Sequence, residues 1–81
     1  MKTIKKVPLY EFYDSPIPDN MLDIDWPKVH KSVGVDQIEW INKQSYDDCQ
    51  MVLEFDSDGT KRLVVEFYKS STVKQYFLMW S

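Results

Sequence analysis

Cysteine, histidine, arginine and glycine are all scarce in this chain of 81 residues, and each scarcity removes a class of function. The single cysteine, Cys49, rules out an internal disulfide framework and fits a reducing compartment, so a cytoplasmic protein is the expectation. One histidine, His30, leaves no histidine pair and no histidine-based metal cluster. The two glycines, Gly34 and Gly59, stand too far apart for a glycine-rich phosphate loop. No G-x-S-x-G, C-x-x-C or H-E-x-x-H occurs. No apolar run approaches the ~20 residues that span a bilayer, and the basic start Met1–Lys6 is not followed by a signal-type apolar core. Neither a membrane segment nor a secretory signal is expected. With no convergent site in view, the chain reads as a non-enzyme without cofactor or metal.

What remains is an ordinary globular composition, 43% hydrophobic and 28% charged, with aromatics at 15%. Bulky rings supply much burial per ordered residue, which suits one small α+β domain over residues 1–81. The net charge of −3 is unevenly spread. Every charge from Glu11 to Asp25 is acidic, and acids dominate through Asp58. After Thr60 the sign reverses, with Lys61, Arg62, Lys69 and Lys74 set against Glu66. Such runs keep small domains soluble, and they also steer a basic partner.

Alternation of period two in Gln50–Asp56, Lys61–Lys69 and Val73–Trp80 predicts a C-terminal three-strand meander, with Asp56–Thr60 as its first turn. Both faces of those strands carry apolar side chains, so either this chain or a partner should cover the second face. Lys5–Tyr13 predicts a first strand that lies at an edge or has Pro8 at its start. Asp25–Gly34 carries the one clear helix signal: Asp25 caps it, and Trp26, Val29, His30 and Val33 form a stripe. Gln37–Asn42 predicts another strand. The expected fold is therefore about five antiparallel strands with one short helix packed on the sheet, in the order β–α–β–β–β–β; a curled, barrel-like sheet is the alternative.

Candidate chemistry is thin. His30 and Cys49 would need hydrogen-bond reach to act as base and nucleophile. Asp23-Ile24-Asp25 and Asp56-Ser57-Asp58 are spaced carboxylates, but a calcium loop counted from Glu54 finds Val65 where its bidentate Glu belongs. Capping and turn formation account for these aspartates. The composition matches a protein-binding module of the inhibitor or immunity type found in phage, plasmid or bacterial systems. Its expected anchors are Tyr10, Phe12, Tyr13, Trp40 and Trp80, with Asp14, Asp19, Asp23, Asp47 and Asp48 orienting a partner protein of basic surface. A second reading makes Arg62, Tyr68, Lys74 and Tyr76 a sheet surface for single-stranded nucleic acid, which the acidic balance disfavours. A third is a homodimer or larger homo-oligomer of structural role, hiding its second sheet face against a copy or pairing through an edge strand.

Overall fold

A computed structural model describes residues 2–13 and 17–80. Three strands, β1 (Lys5–Phe12), β2 (Cys49–Phe55) and β3 (Lys61–Phe67), form one antiparallel sheet in the order β1-β3-β2. Three helices, α1 (Trp26–Val33), α2 (Val35–Asn42) and α3 (Ser70–Trp80), accompany it, with a 3₁₀ turn at Met21–Asp23. The expected five strands and single helix are thus corrected to three strands and three helices.

Two segments account for the difference, and both carry a helical period beneath the alternation. Val73, Tyr76, Phe77 and Trp80 recur at i, i+3, i+4 and i+7, so one side of a helix gathers all four against the core. Aromatic and β-branched residues favour strands only where a neighbouring strand receives them. The neighbour a meander would offer Val73–Trp80 is β3, and β1 and β2 already flank it on both sides. In the second segment, Ile38 and Ile41 sit one turn apart and are both buried, which a strand over Gln37–Asn42 would not allow on one face.

Gly34 joins α1 to α2 without a loop. Its φ of +106° and ψ of +129° are a conformation that glycine alone adopts without strain, and its N–H donates to the His30 carbonyl at 2.9 Å. Asp25 caps α1 through the Lys28 N–H.

β1 lies at an edge, where the missing N–H of Pro8 costs no ladder bond. Its register slips between Pro8 and Tyr10, the mark of a bulge. Residues paired across strands share a face, so Leu63, Val65 and Phe67 look the same way as Met51, Leu53, Val7 and Phe12. That face takes the helices. One cluster holds Phe12, Ile24, Val29, Ile38 and Leu63; the other holds Ile41, Cys49, Val65, Phe67 and Tyr76.

The opposite face carries Lys6, Pro8, Gln50, Val52, Glu54, Arg62, Val64 and Glu66. With α3 a helix, Tyr76, Leu78 and Trp80 are absent from it. Val64 is nonetheless only 2% exposed. The Lys6 side chain lies above the sheet, with its Nζ 2.8 Å from Glu54 and 3.6 Å from Glu66. Long charged side chains cover apolar atoms with their stems while their heads stay wet. The second face is covered in this way, by ionic side chains of the chain itself.

Candidate functional site

The aromatic residues expected as anchors separate into core and surface. Phe12 is buried, and Tyr10 meets its ring edge-on at 4.9 Å while packing on the same cluster. Trp40 and Trp80 are half-buried and in edge contact at 5.4 Å, each also against Tyr76. Tyr13 is exposed, with its hydroxyl donating to Glu11. Asp14 lies outside the described residues. Asp19, Asp23 and Asp47 are exposed, while Asp48 is half-buried against Lys69 at 2.9 Å. Tyr10 and Phe12 belong to one core cluster and Trp40 and Trp80 to the other, so the expected anchors do not converge on one surface.

The sheet constellation for nucleic acid is likewise not assembled. Lys74 and Tyr76 lie on α3, and Tyr76 is buried with its hydroxyl donating to Gln37 at 2.9 Å. Tyr68 stays beside the second sheet face, accepting from Gln50 and donating to Glu66.

Cys49 sits in the second core cluster, where burial pushes its thiol up to about 11, with the Asp48 charge adding to the effect. At neutral pH it is a protonated thiol, and the thiolate is the nucleophilic form. His30 lies in the half-buried stripe of α1, its ring 6.0 Å from that of Trp26. Among the described residues no hydrogen bond joins His30 to Cys49, and no three of His, Cys, Asp and Glu gather as metal ligands. Asp58 accepts from the Thr60 N–H at 2.9 Å, which holds its carboxyl below the usual range and makes it a turn residue.

Among the described residues, two concavities lie beside apolar side chains that the solvent reaches. A cleft of about 210 Å³ has Met21, Trp26, Ile41, Cys49 and Met51 as its apolar lining, with Gln44, Tyr46 and Gln50 supplying polar atoms. Tyr46 is 80% exposed and stands at its mouth. A shallower groove of about 430 Å³ runs along α3 between Val73, Lys74, Phe77 and Leu78. Leu78 is 85% exposed and Met79 is exposed beside it. Phe55, at the end of β2, is also exposed, with the Lys61 Nζ 4.6 Å from its ring centre.

None of Leu78, Met79, Tyr46 and Phe55 was expected as a contact residue. Leu78 was legible once a helical period is applied to Val73–Trp80: with Val73, Tyr76, Phe77 and Trp80 turned inward, residue 78 must face outward. Tyr46 and Phe55 carry no comparable signal. Comparison with protein-family models, with curated proteins and with solved structures finds no match to this chain.

Proposed function

We propose that the protein is a non-enzymatic module that docks on another protein through the outer face of α3. The observation that carries this reading is Leu78. An 11-residue helix that already turns Thr72, Val73, Tyr76 and Trp80 to the core also holds Leu78 and Met79 in water, with Phe77 half-covered beside them. The outer faces of α1 and α2 are mainly polar: α1 presents Lys28, Lys31 and Ser32, and α2 presents Asp36, Glu39 and Asn42, with Val35 at its first position as the exposed aliphatic side chain. Apolar side chains at neighbouring surface positions of one helix are the pattern of a helix that fits a partner's groove.

The partner is a protein with an apolar groove. The net charge of −3 favours encounter with basic surfaces, although exposed acids such as Asp19, Asp23, Asp36, Glu39 and Asp47 are interspersed with exposed lysines. α3 itself carries Lys74 and no acid, so specificity at the anchor comes from shape and apolar fit rather than from ion pairing. An inhibitor that occupies a target's groove works in this way and needs no pocket of its own.

The test is capture from cell lysate with nuclease present, comparing the native chain with Leu78→Asp and with Asp23→Asn/Asp47→Asn. Folding of each is checked by circular dichroism. A protein retained by the native chain and by the Asp→Asn variant, but lost by folded Leu78→Asp, supports the reading. Capture indifferent to Leu78→Asp, or abolished by nuclease, refutes it.

A further inference from the structure

We infer that the free edge of β2 pairs with β2 of a second copy, extending the sheet through an antiparallel two-fold centred on Val52. The two edges of this sheet are built differently. β1 is blunted by Pro8, by the bulge beside it and by Lys5 and Lys6, the devices that keep strand edges from recruiting neighbours. β2 has none of them: Cys49–Phe55 contains no proline, no lysine and no bulge, and its register with β3 is unbroken.

The direction of its free backbone groups follows from the bonds that flank the ladder. Tyr68 N–H donates to the Asp48 carbonyl at 2.9 Å, and Asp56 N–H donates to the Thr60 carbonyl at 2.7 Å. Antiparallel bonding alternates residue by residue, so Gln50, Val52 and Glu54 bond inward to β3. Met51, Leu53 and Phe55 therefore aim their N–H and C=O groups outward, and no described segment bonds to them.

The sequence of β2 is complementary to itself in that register. Val52 meets its own copy, and Met51 meets Leu53 on the helix-bearing side. On the opposite face Glu54 meets Gln50, so no like charges oppose. Glu54 is the single charge on the strand, already held by Lys6 at 2.8 Å. The same register sets Phe55 of one copy opposite Cys49 of the other, whose N–H is already given to its own Ser45 carbonyl at 3.2 Å, so the two meet there through side chains, beside the cleft that Cys49, Met51, Met21 and Trp26 line. A cavity of ~150 Å³ is enough for a benzene ring, and this cleft measures about 210 Å³. Phe55, 68% exposed in the single chain, gains a site in its twin.

Sedimentation velocity from nanomolar to high micromolar concentration reads the association. The native chain is expected to form a dimer, and Val52→Lys, which places two lysines face to face, to weaken it about tenfold or more. Val52→Glu weakens it likewise, and an equimolar mixture of the two variants recovers a dimer because Lys then opposes Glu. Val52→Cys reports the register directly: a central, non-hydrogen-bonded pair has a Cα separation of ~4.5 Å, within disulfide reach, so mild oxidation gives a covalent dimer. A native chain that stays monomeric throughout, a Val52→Lys variant that associates as the native chain does, or a Val52→Cys variant that fails to cross-link overturns the inference.

Discussion

Replacing Lys61 by methionine tests how the Pro18–Asp19 segment is tied to β3. Lys61 opens β3 on the helix-bearing face and is 8% exposed, an unusual position for a lysine. Its Nζ donates to the buried Pro18 carbonyl at 2.7 Å, lies 3.5 Å from Asp19 and sits 4.6 Å from the Phe55 ring centre. A charged donor to a carbonyl out of water contributes about 1.5–3 kcal/mol. The ring contact adds about 0.5–1 kcal/mol because Phe55 is open to solvent. The ion pair adds about 0–0.5 kcal/mol, since the Asp19 side chain is 89% exposed. Methionine keeps the apolar stem and deletes all three contacts, so Lys61→Met should cost about 3 kcal/mol, with Phe55→Leu near 1 and Asp19→Asn near zero. Urea unfolding followed by tryptophan fluorescence at high dilution measures each, because Trp26 and Trp40 pack on the core. A Lys61→Met loss below about 0.5 kcal/mol, or an Asp19→Asn loss equal to it, would refute the assignment of the Pro18 carbonyl as the main partner.

Two further outcomes follow from backbone and titration. Gly34→Ala meets no atom within 4 Å of the new Cβ, yet should destabilise by about 1–3 kcal/mol, because φ +106° with ψ +129° strains any L side chain; urea midpoints at constant slope measure it. On the alkaline side, burial raises Cys49 from 9.0 to about 11, and Tyr76 and Tyr68 are raised by burial as well. A group raised in the folded state contributes its full stability below its unfolded value, and that contribution is lost as pH rises through the folded one. Stability should therefore fall from about pH 9 toward 11, while iodoacetamide at pH 7 labels Cys49 in urea and spares it in the native chain. Rapid native labelling would contradict the buried thiol.

The readable parts of this fold were those where only one period fits. Leu63, Val65 and Phe67 alternate with Arg62, Val64 and Glu66, and the structure makes β3 the central strand. Asp25 and Gly34 bracket α1 with a cap at one end and a positive φ at the other. Val73–Trp80 was ambiguous because Tyr76, Phe77, Leu78, Met79 and Trp80 are apolar in succession, and an unbroken apolar run satisfies a strand and a helix equally. The arbiter is not local. β3 has β1 as one neighbour and β2 as the other, a pairing that depends on a chain excursion of more than forty residues between Phe12 and Lys61. The anchors suffered the same ambiguity: Phe12, Trp40 and Trp80 are aromatic whether they fill a core or meet a partner. Only the placement of α3 separates Trp80, packed on Trp40 and Tyr76, from Leu78, two residues earlier and in water.

The two proposed surfaces lie on different elements, and that makes their consequences separable. α3 packs on β3 through Tyr76 and Phe67, with Phe77 reaching the Lys5 Nζ of β1 at 6.0 Å, whereas the pairing edge is β2. A dimer formed at β2 would carry two α3 faces on one particle, and two anchors raise avidity for a multivalent target without any new contact. Val52→Lys should then reduce retention on a densely coated surface while leaving the affinity of a single α3 face unchanged in solution. Leu78→Asp should do the reverse, abolishing partner binding while sedimentation still finds the dimer. If either substitution moves both readouts together in a chain that remains folded, the two surfaces are one, and the separation of roles between α3 and β2 is wrong.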